Sequence, residues 1–259
     1  GSVNISQIFG NKLRIIGNKA IGTTFVAGAG LFSGANANLN IENSIIKDNK
    51  LQSIYMDMTG VEDGGMLQIG GGLGVGGAQT TTVSNTLFIG NGSINSPYAD
   101  NAAGSAIFGI SSEEIGQPLN IEVINCTFIN NAIKVDELGN DGILGGAITA
   151  IVDEFNIKNS VFWNNTANGE LQDIFNVNNM TINNSYFANA MSASGDPIPG
   201  SGNINDTLSP FRNANNPEGA DGIIGTPDDG LALACGAVAI NAGNDAYLSN
   251  TITKDLVGL

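Results

Sequence analysis

Leu39-Asn40-Ile41-Glu42-Asn43-Ser44-Ile45-Ile46-Lys47-Asp48-Asn49 sets a pattern that the chain repeats: apolar, any, apolar, any, Asn, small, any, apolar, then Asn three further on. It returns over residues 81–91 as TTVSNTLFIGN, over 121–131 as IEVINCTFINN and over 155–165 as FNIKNSVFWNN. A fifth copy, 180–187, keeps its first Asn at Asn184 but brings the last forward by one position to Asn189. Arg14-Ile15-Ile16-Gly17-Asn18 is a half copy near the start. A short Gly/Ala-rich or apolar segment precedes each copy: Gly28-Ala29-Gly30-Leu31-Phe32, Gly71-Gly72-Leu73-Gly74-Val75, Gly104-Ser105-Ala106-Ile107-Phe108, Gly145-Gly146-Ala147-Ile148 and Asp173-Ile174-Phe175. One unit reads as three short strands separated by bends, with a minimal length of about 23 residues.

Strands this short, with apolar residues at alternate positions, cannot each cross a sandwich, but they can pair with their own copies in the next unit. Each unit is then one turn of a solenoid whose backbone is satisfied by parallel pairing between turns. The expected fold is all-β: a right-handed parallel β-helix of about six coils over residues 1–199, with Ile, Val, Leu and Phe in inward columns. A jelly roll or sandwich with chance Asn spacing is the alternative. Residues 200–259 are expected to form a C-terminal cap over the open core edge, which would otherwise template aggregation. Asn at a bend tolerates left-handed backbone, so Asn43, Asn85, Asn125, Asn159 and Asn184 form the expected structural ladder, bonding from coil to coil. Glycine opening the first strand of a unit permits a sharp turn.

Gly145-Gly146-Ala147-Ile148 followed by Phe162-Trp163-Asn164-Asn165 resembles the GGA(I/L/V) and FxxN repeats of chlamydial polymorphic outer-membrane proteins, a grammar shared by right-handed parallel β-helix repeat proteins. Residues 216–230 (NPEGADGIIGTPDDG) with 231–243 (LALACGAVAINAG) resemble the "choice-of-anchor Q" domain of large bacterial secreted surface proteins. The resemblance runs from about residue 28 to residue 259. It implies a secreted or cell-surface location, a β-helix ahead of the segment, an interchangeable anchoring signal after it, and no enzymatic activity. The chain stops at Asp255-Leu256-Val257-Gly258-Leu259 before any anchor, and Gly1-Ser2-Val3 reads as a cloning scar. It is therefore read as a piece of something longer.

The first Asn residues of successive copies lie 42, 40, 34 and 25 positions apart, well above the minimal unit. The surplus falls mostly after the terminal Asn, in 50–70, 92–103, 132–144 and 166–172, with a further insertion at 109–118. Insertions at one phase of a solenoid line one edge, often the binding edge. On that reading Tyr55, Asp57, Glu62, Asp63, Tyr98, Asp100, Asp136, Glu137 and Asp141 form a ligand-binding edge, with Glu170 in the last insertion. On the bland reading they are solvated acidic loops that keep the stack soluble.

Across 259 residues, 24 acidic side chains face 9 basic ones for a net charge of −15, with no histidine. That balance argues against nucleic acid, whose phosphates need clustered Lys and Arg, and against an anionic membrane surface. Lack of histidine removes the Ser-His-Asp triad, the Cys-His pair and every His metal site. The 42% apolar content is enough for a core, and no run approaches the ~20 apolar residues of a membrane-spanning helix. Cys126 and Cys235, 109 positions apart, match neither a zinc spacing nor a disulfide framework, and they pair only if the fold joins them. A monomer is expected.

Glu218-x-x-Asp221-Gly-x-x-Gly-Thr-x-Asp228-Asp229 is the clearest chemical constellation. Carboxylates clustered about glycine turns suit a hard cation, so Glu218, Asp221, Asp228 and Asp229 are candidate ligands of a structural Ca²⁺; an acidic surface turn is the other reading. The pattern lacks the alternate-position ligands and closing Glu of an EF-hand. β-Helices also host polysaccharide lyases and glycoside hydrolases, which need opposed carboxylates or a base beside acids. If the copies stack, the outward columns of the second strand are Asn40, Thr82, Glu122, Asn156, Thr181 and Glu42, Ser84, Ile124, Lys158, Asn183. They offer one diagonal Glu122–Lys158 pair and no acidic cluster, so no catalytic residue is assigned. The function expected is a non-enzymatic module that adheres to a glycan or another surface component through the loop edge. A β-helix lyase or hydrolase, and a purely structural stalk, are the alternatives.

Overall fold

The structure is a computed structural model that describes residues 7–22, 25–34, 38–53, 67–77, 80–93, 101–111, 118–134, 143–176, 179–248 and 256. It is all-β, and among the described residues five sheets form in which strands pair in parallel with the matching strand one repeat away. The first sheet stacks Gln7–Asn11, Asn38–Glu42, Thr80–Ser84, Asn120–Ile124, Glu154–Lys158 and Met180–Asn183. The second stacks Arg14–Ile16, Ile45–Lys47, Leu87–Ile89, Thr127–Ile129, Val161–Trp163, Tyr186–Phe187 and Ile204–Asn205. The third stacks Lys19–Gly22, Lys50–Ser53, Gly92–Ser93, Ala132–Ile133 and Thr166–Ala167, then ends on Glu170–Leu171, which pairs antiparallel. The fourth stacks Phe25–Ala27, Leu67–Ile69, Asn101–Ala103 and Ile143–Leu144. The fifth stacks Leu31–Ser33, Leu73–Gly76, Ile107–Ile110, Ile148–Ile151, Ile174–Asn176 and Ala190–Ser192.

A unit thus carries up to five strands where the repeat predicts three. The extra two, in the third and fourth sheets, come from residues that read as surplus. Backbone N–H and C=O groups running alongside a neighbouring unit must find partners, and pairing sideways satisfies them without any sequence signature. Pairing in the first sheet follows the predicted register, with Thr82 opposite Asn40 and Glu122, and Asn156 opposite Glu122 and Thr181. Its inward column is Leu39 and Ile41, then Thr81 and Val83, Ile121 and Val123, Phe155 and Ile157, Met180 and Ile182, all buried. In the second sheet the middle residue points in. Phe88, Phe128 and Phe162 stack there, with ring centroids 4.8 and 4.5 Å apart and planes within 6°. Gly104 and Gly145, at φ +57° and +61°, turn the chain into the fifth sheet where a Cβ would meet the carbonyl oxygens of Ile107 and Ile148 at 2.2 and 2.1 Å. No side chain fits there.

The C-terminal segment differs from the expected cap. Its start does extend the last unit: Pro199 and Ser201 carbonyls accept from Ile182 and Asn184 N–H, and Ile204–Asn205 pairs with Tyr186–Phe187. From about residue 206, however, the chain runs back along the outside of the second sheet as a strap. Arg14 Nη2 donates to Ile224 O at 2.8 Å near the first unit, and Asn159 Nδ2 donates to Asn244 O at 2.9 Å near the fourth copy. The reason lies in the second sheet's outward residues. Ile45, Leu87, Ile89 and Ile129 are apolar, and they form a second buried cluster with Phe211, Ala214 and Ile224. Covering such side chains stabilises by roughly 1.5–3 kcal/mol each.

Candidate functional site

Segments 54–66, 94–100 and 135–142 each lie in the chain between a strand of the third sheet and a strand of the fourth. On the departing side Lys50 pairs with Gly92, which pairs with Ala132. On the returning side Leu67 pairs with Asn101, and Ala102 with both Gln68 and Ile143. The strands that flank these three segments therefore stand one above another, in the third sheet on one side and the fourth on the other. Tyr55, Asp57, Glu62, Asp63, Tyr98, Asp100, Asp136, Glu137 and Asp141 themselves lie outside the described residues. Glu170 sits exposed in the short hairpin that ends the third sheet.

Asn43, Asn85, Asn125, Asn159 and Asn184 all adopt left-handed backbone, with φ of 50°, 43°, 52°, 49° and 48°. Their side chains do not form one continuous ladder. Asn85 Nδ2 donates to Asn43 Oδ1 at 2.6 Å, while Asn159 and Asn184 turn to the strap, at Asn244 O and Ala242 O. The continuous ladder belongs to the terminal Asn of each repeat. Nδ2 of Asn18, Asn49, Asn91 and Asn131 donates to Oδ1 of Asn49, Asn91, Asn131 and Asn165 respectively, at 2.9, 2.9, 3.0 and 2.9 Å. The same Oδ1 also accepts the donor residue's backbone N–H. The second amide hydrogen of Asn49, Asn91, Asn131 and Asn165 goes to the carbonyls of Ile15, Ile46, Phe88 and Phe128. These four Asn are fully buried, with every donor and acceptor used. The signal was in the repeat itself: the second Asn recurs as regularly as the first.

Asp173 ends this ladder. Its Oδ1 accepts from Asn165 Nδ2 at 2.8 Å, and its Oδ2 accepts from Ala188 N at 2.8 Å and Asn189 N at 3.3 Å. The early Asn189 instead directs its carboxamide to Leu171 O. An acceptor-only carboxylate suits a position that meets three donors. Burial pushes the Asp173 carboxyl above its usual range, against the opposing pull of those hydrogen bonds. A parallel row of small polar side chains, Ser44, Thr86, Cys126, Ser160 and Ser185, donates to the carbonyl two residues earlier in each copy. Cys126 thus stands in for a serine, and burial pushes its thiol up to about 12. Cys235 is exposed, and the two cysteines are unpaired.

Lys158 Nζ meets Glu122 Oε1 at 2.6 Å as the diagonal pair the columns predict, and lies 5.3 Å from the Tyr247 ring centroid. Both partners are partly exposed, which suits a surface ion pair that helps hold the strap.

The acidic loop does not gather into a cation site. Asp228 Oδ2 accepts from Ala220 N and Asp221 N at 2.6 and 3.1 Å, and its Oδ1 accepts from Thr226 Oγ1 at 2.7 Å. Asp229 Oδ2 accepts from Gly225 N at 2.7 Å, Asp221 Oδ1 from Ile223 N at 2.8 Å, and Glu218 turns away to Lys47 at 3.1 Å. Among the described residues no three acidic, Cys or His side chains come together to hold a metal. The four carboxylates are spent on folding their own loop and clamping it to the second copy, so they do not fit the expected calcium ion. The Thr226 hydroxyl and the backbone N–H groups hold the Asp228 carboxyl below its ordinary value. Burial raises that of Asp229.

A cleft of about 510 Å³ lies over the first sheet in the last units, lined by Asp153, Glu154, Asn156, Thr181, Ser192 and Asp196 among others. Most of its polar groups are already committed: Asn156 Nδ2 donates to Glu154 Oε1, Thr181 Oγ1 to Asn156 Oδ1 and Ser192 Oγ to Asp196 O. Among the described residues no helix is long and apolar enough to cross a membrane. Compared with protein-family models, curated proteins and solved structures, the chain matches none.

Proposed function

We propose that the chain is a right-handed parallel β-helix module of a bacterial secreted or cell-surface protein related to those with choice-of-anchor Q segments. In this reading it adheres to a glycan or another surface component without transforming it. The observation that carries the proposal is the registered stacking of the roots of loops 54–66, 94–100 and 135–142. Three segments whose flanking strands stack in register can engage successive groups of an extended polymer, and each weak contact adds to the next. The loop sequences supply suitable chemistry. Tyr55 and Tyr98 offer aromatic faces to sugar C–H surfaces, and Asp57, Glu62, Asp63, Asp100, Asp136, Glu137 and Asp141 offer acceptors to hydroxyls. The repeats and residues 216–243 support the family reading, and the Asn ladder supports a stiff scaffold.

A panel of neutral and acidic polysaccharides, each with and without Ca²⁺, tests this when retention is measured alongside unsaturated-product absorbance and reducing ends. At least one polymer should be retained intact. Retention should disappear when residues 54–66 are replaced by a short Gly-Ser link, with the melting temperature unchanged. No retention would leave a structural stalk, and cleavage would make the chain a β-helix lyase or hydrolase.

A further inference from the structure

Charge is divided along the stack. Residues 1–41 hold Lys12, Arg14 and Lys19 and no acidic residue, whereas residues 159–211 hold Glu170, Asp173, Asp196 and Asp206 and no basic one. The cations lie in the first unit and the carboxylates in the last ones, and Lys12, Lys19, Glu170 and Asp196 are exposed. Among the described residues none of these four has an ion-pair partner. The same two ends carry the outermost strands of the sheets among the described residues. These are Gln7–Asn11, Arg14–Ile16, Lys19–Gly22 and Leu31–Ser33 at one end, and Glu170–Leu171, Ala190–Ser192 and Ile204–Asn205 at the other. Large apolar side chains are exposed on both sets, Ile21 and Phe32 on the first and Leu171 and Met191 on the last.

We propose that these two ends form a head-to-tail interface between copies of this chain, the first unit of one copy seating on the last unit of the next. In the third sheet Lys19 stands on the strand that opens the stack and Glu170 on the strand that closes it. In the second sheet Arg14–Ile16 opens the stack, and Ile204–Asn205, with Asp206 directly after it, closes it. Coaxial docking therefore brings the cations of one copy beside the carboxylates of the other. Phe32 and Met191 stand at opposite ends of one register column in the fifth sheet, so the same docking brings these exposed side chains toward each other. Outer strand edges are ready templates for a further chain. The partner is a second copy because the one molecule carries both complementary surfaces. A polyanion would meet the cations alone and leave the last unit unmet, and two first units or two last units would oppose like charges. Each copy uses a different surface from its partner, so both ends stay available and the assembly grows as an open filament. The inference is independent of the adhesion reading, since none of its residues lies in 54–66, 94–100 or 135–142.

Sedimentation velocity on the whole chain at rising concentration decides it, in about 0.01 M and about 1 M salt, where the screening length falls from about 30 to about 3 Å. At low salt the parent should grow past a dimer as concentration rises, and at high salt its association should weaken at least tenfold. Lys12→Glu with Lys19→Glu, and separately Glu170→Lys with Asp196→Lys, should each weaken association at least tenfold. Both variants should melt as the parent does, since the four side chains are exposed and hold no ion pair. All four substitutions in one chain should restore association, because the complementary charges are re-formed with their signs exchanged. A parent that stays monomeric at every concentration overturns the proposal, as does growth that stops at a dimer. So does association that either pair of substitutions leaves unchanged, or that the fourfold variant fails to recover.

Discussion

In the repeats, Asn91 bonds the same group of the unit on either side, whereas in the strap Asp228 folds back on the backbone of residues 220 and 221, eight and seven positions away. The two regions bury polar groups by different routes. A ladder shares each bond between neighbours, so removing one rung leaves unpaired groups both above and below it. A locally folded loop loses only its own bonds, and the strap's hold on the stack rests on apolar contact along the second sheet. Damage to the repeats should therefore spread, and damage to the acidic loop should stay where it is made.

The largest effect is expected from Phe128→Ala at the centre of the ring stack, about 3–5 kcal/mol by denaturant unfolding, from lost burial and a cavity between Phe88 and Phe162. Asn131→Ala should cost roughly 2–4 kcal/mol by the same measurement, because it orphans the buried amide of Asn91 and removes the donor to Asn165. A cost equal to that of an exposed Asn would mean that the rungs act singly.

Asp173→Asn should cost about 1–3 kcal/mol at neutral pH, since an amide NH₂ would face a donor at either end of the side chain. The pH dependence sharpens the point. A carboxyl whose folded value is raised contributes its stability below the ordinary carboxylate range and loses it as pH rises through the folded value. Unfolding curves from pH 7 down toward 4 should show this gain in the parent and not in Asp173→Asn. Asp228→Ala should have the smallest effect, a modest fall in melting temperature that is the same with or without Ca²⁺. The Asp228 carboxyl lies below its ordinary value, so its share is present above the unfolded value and is lost as pH falls through the folded one. A calcium-dependent rise that the substitution abolishes would restore the metal reading.

Repetition decided what could be read from the residues. Period-2 apolar residues and Asn at a fixed phase were enough to predict the first-sheet register and the left-handed bends. The strands of the third and fourth sheets, such as Gly92–Ser93 and Ile143–Leu144, carry no recurring residue, because backbone pairing alone places them. Choosing the ladder failed for another reason. Both Asn of the repeat recur, and only the direction of the side chain separates the inward Asn49, Asn91 and Asn131 from the bend residues. The strap's position had a visible cue in Leu87 and Ile89 on both sides of Phe88 and in Ile129 after Phe128, where a solvated sheet face would carry polar residues.

Side-chain hydrogen exchange followed by NMR tests the shared-rung ladder most directly. The carboxamide protons of Asn49, Asn91, Asn131 and Asn165 should be strongly protected in the parent, and in Asn131→Ala those of Asn49, Asn91 and Asn165 should lose that protection together, while the exposed Asn179 exchanges fast in both proteins. Exchange of the four at the rate of Asn179 in the parent, or full protection of Asn49, Asn91 and Asn165 retained in Asn131→Ala, would contradict the account.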